Sequence, residues 1–285
     1  MLSRRLVLVS ERHETMMVTL TDLEFEHISG YLKDNFGINL TKKKTLIESR
    51  MASTIAEKGF TSYTEYFQFI LNDKTKKEMS LLISKLTTNH TYFYREEEHF
   101  RFFQTVLLPE FEKNNRDREI RIWSAGCSSG EEPYTLAMVI ADYFGACKPQ
   151  WKAKILATDI SLKVLDKAQK GIYTEESLLN IPAAWRAKYF ERIDEKNYQV
   201  VQAIRDEVIF KQLNLMDNFV FAKKFDLILC RNVMIYFDLP TKQKLVEKYY
   251  NTTKAGGYLF IGHAETITRE SSKYKYIMPA IYYKG

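Results

Sequence analysis

The chain has 285 residues and a mass of 33.6 kDa, with 45% hydrophobic and 27% charged residues, a balance that suits one or two globular domains and excludes a fibrous repeat or wholesale disorder. Forty-two Lys and Arg against 36 Asp and Glu leave a net charge of +6, which permits an acidic partner without demanding nucleic acid. Three cysteines, Cys127, Cys147 and Cys230, form no CxxC pair, so a disulfide scaffold is excluded and a reducing compartment is expected.

The opening MLSRRLVLVSERHE returns to charge at Glu11, too soon for a secretory leader. Residues 1 to about 17 read as a loose extension, with Met16 or Met17 as an alternative start. No apolar run approaches the ~18 to 20 residues that span a bilayer, and a cytoplasmic protein is expected.

The first third reads as helices. In TDLEFEHISGYLKDNFG, Leu23, Phe25, Ile28, Tyr31, Leu32 and Phe36 recur at helical spacing, with Thr21 or Asp22 as N-cap and Gly37 as the stop. A second helix is expected from about Lys42 to Lys58, a third in TSYTEYFQFILND and a fourth in KEMSLLISKLTT. Together they form a small bundle over residues 18–88. Residues 89–117 hold a linker and a connecting helix, EEEHFRFFQTVLLPEFEKN.

From residue 118 the pattern changes. EIRIWSA, WKAKILATDI, FDLILCRN and GYLFIGH are short apolar runs, and helical segments (PYTLAMVIADYF, SLKVLDKAQKG, LPTKQKLVEKYYNTTKAGG) follow the first three. Such alternation predicts an α/β fold with a mainly parallel sheet covered on both faces. The stretch from about 189 to 211 interrupts it and reads as a hairpin.

Four strand ends carry the candidate chemistry. The first is the glycine turn Gly126-Cys127-Ser128-Ser129-Gly130, followed by Glu131 and Glu132, where tight backbone and a helix N-terminus favour a negatively charged ligand. It is neither a dinucleotide G-x-G-x-x-G nor a Walker loop. It does match G-x-S-x-G, with Asp159 and His263 following in hydrolase order, but the preceding chain is helical and no oxyanion segment precedes the turn. Asp159 ends the second strand, a position from which a carboxylate accepts both hydroxyls of a ribose. Asn214, in LNLMD, lies near another strand end, and Arg231-Asn232 ends FDLILC. The polar and aromatic segment TTNHTYFYRE, residues 87–96, fits a lid over that crevice. The five histidines show no HExxH and no zinc spacing, so no metal is expected.

TTNHTYFYREEEHF, RIWSAGCSSGEEPYTLAM, ILATDIS, FDLILCRNVMIYFD and GGYLFIGHAE together resemble the chemotaxis receptor methyltransferases, the CheR family, from about Leu23 to Tyr283. The resemblance implies a class I, Rossmann-like S-adenosylmethionine-dependent methyltransferase domain over 118–285. It further implies a small antiparallel β-subdomain inserted at about 189–211 and an N-terminal helical domain ahead of the whole. The implied activity is methyl transfer from S-adenosylmethionine to glutamate carboxylates of chemotaxis receptors, giving methyl esters and S-adenosylhomocysteine for sensory adaptation. Other substrates, or an S-adenosylmethionine sensor without turnover, are the competing readings.

Carried over residue by residue, the family's cofactor pocket involves Asn89, Thr91, Arg95, Gly126, Glu132, Asp159, Asn214, Leu215, Arg231 and Asn232. Arg95 and Tyr236 fall at positions near the reacting centre. The basic face of the second helix, Lys42, Lys43, Lys44 and Arg50, is the implied contact for the acidic receptor helices. The β-subdomain loop looks shorter than in members that grip a receptor C-terminal pentapeptide, so independence from such a tether is expected.

Overall fold

The computed structural model describes residues 18–88, 90–268 and 272–285; the N-terminal extension and Asn89 lie outside them. Four helices come first: α1 (Asp22–Phe36), α2 (Lys44–Glu57), α3 (Tyr63–Asn72) and α4 (Lys77–Leu86). Thr21 begins α1 with a capping box, its hydroxyl accepting the Glu24 amide while the Glu24 carboxylate accepts the Thr21 amide. Gly37 ends it in the left-handed region at φ +73°, which a glycine enters without the Cβ clash of other residues. The second helix starts at Lys44, two residues later than its pattern suggests, because Lys43 leaves helical geometry (φ −127°, ψ 42°) and provides no side-chain cap. The apolar faces of the four helices bury Leu32, Ile47, Met51, Ile55, Tyr63, Phe67 and Ile83 in one core.

The connecting helix runs as α5 (Glu97–Phe102), a π-helical turn (Phe103–Leu107) and α6 (Leu108–Asn114). The sheet region follows in chain order: β1 (Ile122–Ala125), α7 (Glu131–Phe144), β2 (Ile155–Asp159), α8 (Leu162–Lys170), β3 (Ile172–Thr174), α9 (Ala183–Tyr189), β4 (Phe190–Arg192), β5 (Asn197–Val200), α10 (Gln202–Arg205), β6 (Val208–Gln212), β7 (Phe225–Cys230), α11 (Leu239–Thr252), β8 (Thr253–Ile261), β9 (Lys275–Met278) and β10 (Ile281–Tyr283). The main sheet has the order β6-β2-β1-β7-β8-β10-β9. Its first five strands are parallel, and β10 and β9 close it antiparallel. Ile122, Ile155, Leu227, Leu229 and Phe260 are buried on one face and Trp123, Ile228 and Leu259 on the other, which makes the central strands continuous apolar runs.

The interruption differs from its reading as a hairpin over 189–211. The small sheet is three-stranded, β3-β5-β4, and draws its third strand from residues 172–174. Val208–Gln212 does not belong to it but pairs in parallel with β2 at the main-sheet edge. Between them, VVQAIRDEV is broken by α10, since Val201 and Ile204 recur at a spacing of three and only Ile204 of the helix is buried.

Trp123 on β1 is fully buried, donates its Nε1–H to Thr158 Oγ1 at 2.9 Å, and is caged by Phe219, Phe221, Phe225 and Tyr249. The helical bundle packs on the sheet region through direct bonds: Leu162 N–H to Ser80 Oγ at 2.8 Å, Asn39 N–H to Tyr236 O at 2.8 Å, and Lys33 with Asp238 at 3.0 Å.

Candidate active site

Strand β1 has β2 on one side and β7 on the other, so successive connections leave it in opposite directions and open a crevice at its carboxyl end. A cavity of about 300 Å³ lies there, with the helical bundle as its second wall. Thr91, Arg95, Gly126, Glu132, Asp159, Asn214, Leu215, Arg231, Asn232 and Tyr236 all line it. Bundle residues Phe36, Ile38 and Ile83 and the loop residues Ile160, Leu213 and Phe237 supply apolar surface.

Gly126 sits at φ +85°, and a Cβ there would come within 2.3 Å of Val233 Cγ2. The turn therefore requires glycine both for its backbone and for its contact with the loop after β7. Its amide and that of Cys127 donate to Thr158 O, joining the ends of β1 and β2. Asp159 accepts the Ser128 amide on Oδ2 and the Ser161 amide on Oδ1, both at 2.9 Å. Burial pushes its carboxyl up, and the Ser161, Ser128 and Ile160 amides pull it back. With one amide on each oxygen, a carboxylate still has lone pairs for a ligand diol.

Arg231 ends β7 almost wholly buried, its side chain 2% exposed. Its Nη1 donates to Glu132 Oε2 at 2.9 Å, and its Nε and Nη2 donate to Glu96 Oε2 at 3.2 and 3.1 Å. Nη2 also donates to the Arg95 carbonyl. Ser124 holds the other Glu132 oxygen at 2.6 Å. Removing two carboxylates and a guanidinium from water is costly unless each is paired, and this cluster pairs them all. Arg231 thus fixes the lid segment, the first turn of α7 and the end of β7 relative to one another. Arg95 donates to His90 O at 2.7 Å and lies over the Tyr92 ring.

Three contributors escaped the sequence reading. Glu96 accepts from Arg231, from the His263 amide at 3.1 Å and from Asn232 Nδ2 at 3.4 Å. Burial opposes its charge, but Arg231 and the His263 amide hold the carboxyl below its ordinary range. Glu265 accepts the amides of Asn232, Ile235 and Gly262 and so shapes the turn on which Asn232 adopts φ +59°. His99 is buried beside Glu96, and burial lowers its imidazole to about 3. An acidic residue among other acidic residues, as in REEEHF, gives no sequence signal of burial.

The hydrolase alternative fails on geometry. Asp159 is engaged by the Ser128 and Ser161 amides, whereas His263 stands against His99 and Glu96 and does not line the cavity. The basic face is also divided. Lys42 and Lys43 are exposed, Lys44 pairs with Asp22 at 2.6 Å, and Arg50 turns inward to the Lys85 and Thr87 carbonyls and Thr88 Oγ1. Among the described residues no helix is long and apolar enough to cross a membrane.

Residues 23–87 match the family described as CheR methyltransferase, all-alpha domain, and residues 89–282 match CheR methyltransferase, SAM binding domain. A chemotaxis protein methyltransferase of Borreliella burgdorferi is 47% identical over 273 residues, covering 94% of this chain and 96% of the relative. The chemotaxis protein methyltransferase of Escherichia coli is 36% identical over 259 residues, covering 89% and 88% respectively. With both family matches in chain order and relatives this similar over nearly their whole length, the chain belongs to the CheR methyltransferases.

Proposed function

We propose that this protein transfers the methyl group of S-adenosylmethionine to glutamate side chains of chemotaxis receptors, working in the cytoplasm on the receptors' helical domain. The observation that carries the reading is the convergence of Arg95, Glu132, Asp159, Asn214 and Tyr236 on one cavity between sheet and bundle. The donor set fits the cofactor: a carboxylate with spare lone pairs for ribose hydroxyls (Asp159), apolar surface for a base (Ile160, Leu213, Leu215), and a cation for an amino-acid carboxylate (Arg95). In this reading Thr91 borders the cofactor from the lid, Asn89 belongs to the same cofactor-binding set, and Asn214 frames the base. The division at 88/89 and 117/118 assigns receptor contact to the bundle and chemistry to the sheet region.

When bound, the cofactor supplies a methyl group on a sulfonium. A glutamate carboxylate is already ionised at neutral pH, so the protein needs no general base. Its work is alignment and exclusion of water. Arg95 orients a carboxylate, and Tyr236 presents its hydroxyl beside the transferring group. Arg231 positions Glu132 and the lid without serving as an acid or base. Four residues, 193–196, join β4 to β5, and this short connection supports action without a receptor pentapeptide tether.

Labelled methyl transfer to membranes containing candidate receptors tests the proposal. The expected product is an alkali-labile ester that releases methanol, absent with Asp159→Ala. Base-stable label, or no transfer while S-adenosylmethionine still binds, would overturn it. A micromolar complex with a receptor-tail peptide would remove the tether-independent part.

A further inference from the structure

We propose that Glu96, His99 and His263 form a site for a divalent transition-metal cation of the zinc class, placed against the guanidinium that organises the cofactor pocket. The three side chains come from chain positions as far apart as α5 and the segment after β8, yet their donor atoms all lie within 4.8 Å of one another. His99 is 1% exposed, and among the described residues neither ring nitrogen has a hydrogen-bond partner. A buried imidazole normally satisfies at least one nitrogen, because an orphaned polar atom is costly. The ring meets His263 edge-on at 5.0 Å and lies 3.5 Å from Glu96 through Nδ1.

Two imidazoles and one carboxylate, with water completing the shell, match the donor preference of zinc. Metal–ligand bonds of about 2.0–2.1 Å bring donors to about 3.3 Å from one another, close to the present His99–Glu96 separation of 3.5 Å, so the widest pair must close by at most roughly 1.5 Å. The exposed His263 side chain can supply that movement and gives the ion its route in. The Arg231 charge opposes a dication, but Glu96 and Glu132 both pair with that guanidinium and offset it. A cation on Glu96 competes with Arg231 for the same carboxylate. Occupancy therefore loosens the Arg231 hub and weakens cofactor binding, making the site inhibitory.

The test is a cobalt(II) titration of the full-length chain, followed by zinc displacement. Visible bands of tetrahedral cobalt with nitrogen and oxygen ligands are expected, at one ion per chain. Affinity should fall at least about tenfold in His263→Ala and in His99→Phe, and stay the same in Cys147→Ser, which removes the exposed thiol. His263→Ala changes an exposed side chain and keeps the test valid if His99→Phe does not fold. Unchanged affinity in His263→Ala, or thiolate charge-transfer bands lost in Cys147→Ser, would overturn the site. An S-adenosylmethionine Kd unaltered at saturating zinc would overturn the inhibition. The cobalt spectrum is read without any methyl acceptor, so it stands or falls separately from the proposed reaction.

Discussion

The Tyr236 hydroxyl and the Thr88 backbone are joined twice: the hydroxyl accepts the Thr88 N–H at 2.8 Å and donates to the Thr88 carbonyl at 3.1 Å. The backbone of Tyr236 also takes the Asn39 amide. A residue just beyond β7 thereby fixes the exit of α4 and the start of the lid. Tyr236→Phe removes both hydroxyl bonds, and a loss of about 1–2 kcal/mol in unfolding free energy is expected by urea titration. Turnover should fall about tenfold or more, with little change in S-adenosylmethionine Kd by calorimetry. Full turnover in the variant would remove Tyr236 from the reacting centre.

Arg50 provides a second link between the bundle and the lid. Its fork reaches two carbonyls and the Thr88 hydroxyl, a geometry that a lysine ammonium cannot reproduce. Arg50→Lys keeps the charge and should lower stability by about 1–2 kcal/mol, with reduced activity at unchanged salt dependence. If Arg50 acted only as a receptor contact, stability would not move.

Gly126→Ala should be severe. The positive φ costs an L-residue about 1–2 kcal/mol, and the overlap with Val233 adds a strain of similar size. Thermal unfolding should report the loss and calorimetry a weakened cofactor affinity. Pairing it with Val233→Ala should recover the overlap part and leave the backbone part, which separates the two causes.

Acid stability has an identifiable contributor. Asp238 caps α11, and its bonds to Thr241 and Lys33 pull its carboxyl down to about 2. A carboxyl with a depressed folded pKa adds stability above its unfolded value near 4, and the contribution is lost as pH falls from about 4 to about 2. Asp238→Asn should flatten that part of the urea-midpoint profile between pH 5 and 2 while keeping the cap. An unchanged profile would exclude Asp238 as a contributor.

With Lys44 paired to Asp22, Lys42 and Lys43 remain exposed just ahead of α2, and under the proposed function they are the charges offered to the receptor. Raising salt above 0.1 M, where screening acts over about 10 Å, should weaken receptor methylation more than cofactor affinity. Charge reversal at both lysines should remove most of the difference in initial rates.

Much of this was legible beforehand, for physical reasons. Thr21 and Gly37 mark α1 because caps are local chemistry, and the strand ends Asp159 and Arg231 stand out because charge abruptly follows an apolar run. The small sheet was misread because three- and four-residue strands carry too little pattern: β3 is hidden after the Gly171 stop of α8, and Val208–Gln212 alternates as well in an edge strand as in a hairpin. The final hairpin of β9 and β10 gave no signal, with Tyr276 and Ile277 exposed and Ile281 and Tyr282 buried. Glu96, His99 and Glu265 were invisible because their roles depend on residues that are distant in the chain.

The burial of Trp123 has a spectroscopic consequence. The three tryptophans are Trp123, Trp151 and Trp185, and residues 18–88 contain none. Emission from the apolar cage on β1 therefore reports the sheet region alone, while far-ultraviolet circular dichroism also counts the bundle helices. Where the two melting curves part, the bundle and the sheet region unfold separately; where they coincide, the staples at Thr88 and Asp238 make the two halves melt as one unit.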